Sequence, residues 1–270
     1  TRRSSDLDRL VRARRTMRID ELMNPDRRRV EANDEGEEVA RLFQRYNLVS
    51  APVVDESGRL LGVVTIDDIV DVIQEEADEE IKALGGVRGE EELSDSILET
   101  TKSRFGWLFV NLLTAFLASS VLGLFEASLA KMVALAVLAP IVAGQGGVAA
   151  TQTMTVAVRA LATRELGAAN AIRVTFRETF VGLLNGLAFG VITGAIASLW
   201  FRDWNIGIVI SLAMTINLVA GALGGILIPL TLERFRSDPA VSSGVFVTTV
   251  TDVVGFFAFL GIATLWFGLN

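Results

Sequence analysis

One carboxylate stands inside a long apolar stretch near the end of the chain. Residues 239–261 read PAVSSGVFVTTVTDVVGFFAFLG, and Asp252 is the one charged side chain among them. An ionised group inside a bilayer costs roughly 3 kcal/mol or more, so such residues usually face a protein interior or an ion path. The stretch is expected to be a membrane helix that presents an anionic oxygen site to a cation pathway. Small and hydroxyl residues beside it offer further oxygens: Ser242, Ser243, Gly244, Thr248, Thr249 and Thr251.

A second concentration of carboxylates lies much earlier, in residues 67–99. Thirteen Asp and Glu residues stand there against Lys82 and Arg88. Like charges at helical spacing destabilise a helix unless they are neutralised, which a bound divalent cation would do. A solvated acidic linker explains the run equally well, so both interpretations stay open. Several of the carboxylates recur at three- to five-residue spacings and share a helix face: Asp67, Asp68, Asp71, Glu76, Glu79 and Glu80.

Composition limits the chemistry available to both sites. The 270 residues are 51% hydrophobic and contain no Cys and no His. Disulfides, thiolate or imidazole metal sites, and Cys/His or Ser/His catalysis are therefore excluded. Any metal site must use oxygen ligands, which favours Mg²⁺, Ca²⁺ or Mn²⁺.

Charge is distributed very unevenly along the chain. Residues 1–104 hold 25 Asp/Glu and 17 Lys/Arg, whereas residues 105–270 hold only 7 and 8. This contrast predicts a charged soluble part followed by a membrane part. The membrane part contains five apolar segments, each long enough to cross a hydrocarbon core of about 30 Å. They lie at about 105–125, 132–158, 179–201, 206–232 and 244–268.

The loops between these segments indicate an orientation. Arginines are concentrated in the loops 159–178 and 233–239. Cytoplasmic loops are enriched in Lys and Arg, so these two loops are expected on the cytoplasmic side of the cell membrane. Five crossings then place the N-terminal part in the cytoplasm and the C-terminus outside.

Two of the segments carry unusual residues. The second reads APIVAGQGGVAATQTMT in its middle, and irregular or polar backbone at that depth is tolerated where it is buried in protein or lines a wet cavity. Gly146, Gly147 and Gln152 are therefore expected to line a pore. The third segment repeats glycine every four residues, which predicts close helix packing instead. Its glycines are Gly182, Gly186, Gly190 and Gly194.

The soluble part divides into three expected regions. Residues 1–16 are interpreted as the tail of a preceding module, 17–77 as a module with the order helix, strand, strand, helix, and 78–104 as an acidic connecting helix region. Glu56-Ser57-Gly58 indicates a hairpin between the two strands. Thr65 opens the last helix of the module, with Asp68 as its capping partner.

Residues 48–55 (LVSAPVVD) and 62–68 (GVVTIDD), preceded by an ELM start, resemble a CBS module over about 60 residues. The expected fold class is thus an α+β cytosolic CBS module followed by an all-α membrane domain of five transmembrane helices. The resemblance implies that Thr65 and Asp68 could hold the ribose of ATP. A plain helix N-cap explains the same two residues.

Three further stretches carry a closer resemblance: 138–162 (LAPIVAGQGGVAATQTMTVAVRALA), Phe125-Glu126-Ala127, and 238–255 from Asp238-Pro239-Ala240 to Gly255. Together with the acidic run, they resemble an MgtE-type magnesium transporter. The chain differs from many relatives at Val148, where they have Asn, and at Ala150, where they have Gly.

The MgtE resemblance implies a homodimer in the lipid bilayer, with a pore on the two-fold axis that passes divalent cations. Asp252 would bind hydrated Mg²⁺, helped by oxygens near Gly244, Thr248 and Thr249. Cytosolic Mg²⁺ would close the pore by feedback, and no nucleic acid partner is expected. The implied regulatory positions are Asp68, Asp71, Glu76, Glu79 and Glu80.

Two other classes of function remain open at this stage. The chain could be a membrane-anchored CBS nucleotide sensor without ion transport. It could also be a membrane enzyme, although the spans contain no paired acid/base or nucleophile constellation. Asp252 and the polar second segment argue against anchorage alone, because an anchor needs neither.

Overall fold

The computed structural model describes residues 28–89, 91–167, 169–235 and 239–269, together with Val11 and Arg14. Most of the expected tail at 1–16 and the expected start of the CBS module at 17–27 therefore lie outside the described residues. The chain divides into two compact units, Thr1–Asp78 and Glu79–Asn270.

The first unit is built on a three-stranded sheet. Its strands are β1 (Val30–Glu31), β2 (Ser50–Val54) and β3 (Leu60–Thr65), and its helices are α1 (Gly36–Tyr46) and the start of α2 (Ile66–Leu84). Strand β2 lies in the centre, parallel to β1 and antiparallel to β3. The predicted order of helix, strand, strand, helix is confirmed, and β1 is a strand that the sequence pattern did not reveal.

Apolar side chains of α1 and α2 cover this sheet. Phe43 and Ile69 are the largest buried residues, at 1% and 2% exposure. The neighbouring apolar residues of α2, Ile66, Val70 and Ile73, are exposed within this chain. At the opposite end of the sheet, the predicted hairpin between β2 and β3 is formed. The smaller core residues are Val30, Val39, Ala40 and Ala51.

A bend of twelve residues (85–96) separates α2 from α3 (Ile97–Leu124). Gly86 has a φ of 71°, and the indole of Trp107 occupies the place where a Cβ would lie. Helix α3 begins with a capping box in which Ser96 and Glu99 bond each other's backbone. The predicted apolar segment begins at about 105, whereas the helix that contains it begins at Ile97. Hydropathy marks where the apolar residues begin, and the cap marks where the helix begins.

Five helices in the described chain are long and apolar enough to cross a membrane, as predicted. They are α3, α5 (Val133–Ala162), α6 (Ala171–Phe201), α7 (Trp204–Arg234) and α8 (Pro239–Phe267), and the six-residue α4 (Glu126–Lys131) joins α3 to α5. Helix α6 begins eight residues before the predicted segment. Its first two turns carry charged residues, so they do not count as part of an apolar segment. Helices α5, α7 and α8 share one core, which includes Leu135, Val142, Ile210, Met214 and Phe259.

Helices α6 and α7 pack through the glycine repeat. A Cβ on Gly190 would lie 2.8 Å from the carbonyl oxygen of Ser211, and one on Gly186 would lie 2.9 Å from the Cα of Thr215. The hydroxyls of Ser211 and Thr215 donate to the carbonyls of Gly190 (2.8 Å) and Gly186 (3.1 Å). The structural interpretation of this repeat is therefore confirmed, because only glycine permits backbones this close.

Candidate functional site

Asp252 lies in α8 and is half-buried. Thirteen residues separate it from the start of the helix at Pro239, which corresponds to a rise of about 20 Å. Within the described part of the chain, no hydrogen bond or ion pair to its carboxylate is present. A carboxylate at this depth without a protein partner has both oxygens open to a cation.

Two threonines lie one turn before Asp252 on the same helix. The hydroxyl of Thr248 donates to the carbonyls of Gly244 (3.0 Å) and Val245 (3.1 Å), and that of Thr249 donates to Val245 (2.6 Å). Their protons are thus used within the helix, while the hydroxyl oxygens can still accept hydrogen bonds. Such oxygens suit the water molecules around a hydrated cation.

Among the described residues, a Cβ on Gly244 would meet nothing within 4 Å, so this position leaves open space. Its carbonyl accepts the Thr248 hydroxyl in addition to its helical backbone bond, so both of its lone pairs are used. The four predicted pore residues therefore follow one helix over about two turns, ending at Asp252.

The predicted pore-lining residues of α5 occupy three different environments. Gly146 is buried, Gly147 is half-buried and Gln152 is exposed. A Cβ on Gly147 would lie 3.7 Å from the hydroxyl oxygen of Thr251, the buried neighbour of Asp252. Helix α5 therefore touches α8 beside the carboxylate, and its role as a pore wall stays a prediction.

Asn217 of α7 is a polar residue of this region that the sequence reading missed. It is fully buried, and its side-chain amide donates to the carbonyl of Val142 in α5 at 2.8 Å. Its side-chain oxygen has no partner among the described residues. An unpaired buried acceptor costs about 1–3 kcal/mol, so this side chain needs an explanation. The signal was present, because Asn217 is the only Asn in the apolar segment 206–232.

In the acidic region, Asp68 caps its own helix. Its Oδ2 accepts bonds from the backbone N–H of Thr65 (2.8 Å) and from the Thr65 hydroxyl (2.7 Å). Both bonds lower the pKa of Asp68 below its ordinary value of 3.8, and the bond from the Thr65 hydroxyl has the larger effect. The predicted cap is confirmed, while nucleotide binding by this pair stays a prediction.

The other predicted regulatory carboxylates are spread along α2. Asp71, Glu76 and Glu79 are exposed. Across the described residues, no three carboxylates lie close enough together to hold a metal ion. The geometry of this single chain therefore brings the set onto one helix without forming a closed metal site.

Glu80 is held by a residue distant in sequence. Its Oε2 accepts a bond from Nη1 of Arg159, near the end of α5, at 2.7 Å. Its Oε1 is buried without a partner among the described residues. The end of the acidic helix is thus tied to the same helix that touches α8 beside Asp252.

Comparison with known proteins agrees with this arrangement of a CBS module and a membrane domain. Residues 19–75 match the family model described as CBS domain, and residues 139–262 match the model of MgtE, described as a divalent cation transporter. The two matches follow one another along the chain, in the order that the sequence predicted.

The relatives found are magnesium transporters MgtE from three bacteria. The Thermus thermophilus protein is 36% identical over 92% of this chain and 55% of its own length. The Enterococcus faecalis and Bacillus subtilis proteins are 33% and 32% identical over 88% and 87% of this chain, each over 52% of its own length. The predicted MgtE-type character is confirmed, and the chain spans about half the length of these relatives.

Proposed function

We propose that the chain is a subunit of a Mg²⁺ channel or transporter in the cell membrane. The observation that carries this proposal is Asp252, a carboxylate with no partner among the described residues, in a helix long and apolar enough to cross a membrane. The proposal is also supported by the MgtE match and by the magnesium transporters among the relatives. In this proposal the chain transports Mg²⁺ and is not an enzyme.

The pore lies on the axis of a homodimer, where the two copies of Asp252 face one another. Mg²⁺ gives up its waters reluctantly and is usually bound through one or two carboxylates plus water. Two carboxylates offset the charge of the ion, the oxygens of Thr248 and Thr249 accept hydrogen bonds from its waters, and Gly244 leaves room for these waters. Gln152 and Gly147 line the path beside this site, while Gly146, which is buried against Asn217, lies behind it.

The soluble part is cytoplasmic and the C-terminus lies outside. The support is the concentration of arginines in the loops 159–178 and 233–239. When cytosolic Mg²⁺ is high, it binds the carboxylates of α2 and closes the pore. The exposure of Asp71, Glu76 and Glu79 supports this step, because exposed like charges on one helix repel one another until a cation neutralises them. ATP binding at Thr65 and Asp68 would add a second signal.

The test is Mg²⁺ flux into liposomes that contain the purified chain and a Mg²⁺-sensitive dye. Asp252→Asn should lower flux at least about a hundredfold, because a neutral amide of the same shape cannot offset the charge of the ion. Asp203→Asn, at the N-cap of α7, is the matched control and should keep the flux. Normal flux through Asp252→Asn would refute the proposed cation site. ATP binding without any flux would favour the nucleotide-sensor alternative.

A further inference from the structure

A single side chain fills the space where three membrane helices meet. Asn217 projects from α7 and donates its amide proton to Val142 of α5. A Cβ on Gly146 of α5 would lie 2.1 Å from its amide nitrogen, and one on Gly255 of α8 would lie 2.6 Å away. Both glycines therefore leave room for Asn217, and neither can carry a larger residue while it is there.

This junction lies beside the proposed cation site. Gly255 follows Asp252 by three residues, which is about 4.5 Å along the helix. On the other side of Asp252, Thr251 packs against Gly147 of α5. The turn of α8 that carries the carboxylate is therefore held between two contacts, one through Thr251 and one through Asn217.

We propose that Asn217 is a positioning residue for the cation site. It fixes the separation of α5 and α8 at the level of Asp252, and thereby the place of the carboxylate relative to the pore axis. This inference rests on the proposed function, since it assigns a residue to the geometry of the same site. It assigns no contact between Asn217 and the ion.

The unpaired side-chain oxygen of Asn217 offers a way to distinguish a positioning role from simple packing. If Asn217 only filled space, an apolar residue of the same branched shape would serve as well, because it leaves no buried acceptor without a partner. Asn217→Leu should then keep the half-saturating Mg²⁺ concentration and the ion preference. If the bond to Val142 sets the separation of the helices, Asn217→Leu should still fill the junction and lose the position.

The first experiment measures the concentration dependence of Mg²⁺ flux in liposomes for the wild type, Asn217→Leu and Thr215→Val. Loss of one positioning hydrogen bond should raise the half-saturating Mg²⁺ concentration between about twofold and tenfold and change the ratio of Mg²⁺ to Co²⁺ flux. Thr215→Val removes a hydroxyl that bonds α6 from the same helix and should change neither value. Unchanged half-saturation and ion preference in Asn217→Leu would overturn the proposal, even if the maximal flux fell.

A second set of variants tests the junction itself. Gly146→Ala should impair flux because the new Cβ meets Asn217, whose side chain holds the three nearest atoms. Adding Asn217→Ala removes that side chain, so the double variant should transport better than Gly146→Ala alone. Additive losses would show that Asn217 does not fill the space beside Gly146, which would also contradict the proposal.

Crosslinking reports the separation of α5 and α8 even in variants that do not transport Mg²⁺. The chain has no cysteine, so a Gly147→Cys/Thr251→Cys pair gives an unambiguous disulfide between α5 and α8. Crosslinking should form readily with Asn217 present and slow severalfold in Asn217→Leu. An equal rate in both backgrounds would overturn the inference. If the wild type carries no Asp252-dependent flux, the proposed function itself is refuted. This result is obtained before any Asn217 variant is compared, so it is distinct from a failure of the present inference.

Discussion

Two pairs of membrane helices in this chain pack closely by different means. Helices α6 and α7 meet backbone to backbone along the glycine repeat, with Ser211 and Thr215 bonding across the contact. Helices α5 and α8 also approach closely at Gly255, where a Cβ would lie 3.3 Å from the Cα of Ala143, but side chains contribute more here: Thr251 lies against Gly147, and the amide of Asn217 from α7 lies between Gly146 and Gly255. The first pair has one possible spacing. The second pair depends on a few polar groups, and it carries Asp252.

The two helix pairs of the membrane domain should differ in how far they can move. Backbone contacts leave little freedom, because interiors are close-packed and a backbone atom cannot move aside by a change of rotamer. Side-chain contacts can be altered by a change of rotamer or of bonding partner. A moving gate therefore fits the α5–α8 side better than the α6–α7 side.

The largest expected effect comes from breaking the α6–α7 contact. Gly190→Leu places a side chain where a Cβ would already lie 2.8 Å from the Ser211 carbonyl. Overpacking against backbone should lower stability by about 3 kcal/mol or more and reduce the yield of folded protein. Gly123→Leu is the control, since nothing lies within 4 Å of its Cβ position. Thermal unfolding in detergent measures both, and a normal midpoint for Gly190→Leu would contradict the tight contact.

A matched pair of threonines compares the two sides more finely. Thr249→Val on α8 and Thr215→Val on α7 each remove a hydroxyl that donates to backbone. Each should lower stability by less than about 1 kcal/mol. Only Thr249→Val should raise the half-saturating Mg²⁺ concentration, by about two- to tenfold, because Thr249 belongs to the proposed cation site and Thr215 does not. Equal flux curves for the two variants would remove Thr249 from the cation path.

A smaller effect is expected where the acidic helix reaches α5. Glu80→Gln removes the ion pair with Arg159; the side chains of Glu80 and Arg159 are 22% and 65% exposed. Because the arginine is open to solvent, the pair should contribute on the scale of surface ion pairs, about 0.2–1 kcal/mol, and weaken with salt. Thermal midpoints at low and high ionic strength should therefore differ less for Glu80→Gln than for the wild type. Glu79→Gln is the neighbouring control, and the same salt response in both variants would argue against the pair.

The smallest effect concerns Asp68, a carboxylate with partners, in contrast to Asp252. Its pKa lies below 3.8 in the folded chain, chiefly because the Thr65 hydroxyl bonds to it. The stability from this cap is therefore fully present above the ordinary pKa and is lost as pH falls through the lowered one. The gap in thermal midpoint between wild type and Thr65→Ala should be constant from about pH 7 to about pH 5 and narrow below about pH 4. A difference in thermal midpoint that widens as the pH falls would contradict this prediction.

The sequence predicted whatever depends on local pattern. Five apolar segments, the glycine repeat, the Thr65 cap and the cost of a buried charge at Asp252 all follow from neighbouring residues. It missed features that arise from contacts between distant residues. Arg159 reaches Glu80 across 79 positions, and Asn217 reaches Val142 across 75. The apolar segment did not mark the start of α3, because a cap, and not hydropathy, determines it.

The junction around Asn217 has an evolutionary consequence. Positions 146, 217 and 255 share one volume, so they are free to change only together. Lineages that keep a large residue at 217 should retain glycine at both other positions. Lineages that shrink it to alanine should tolerate alanine at 146, and such paired changes should recur as covariation when many relatives are aligned.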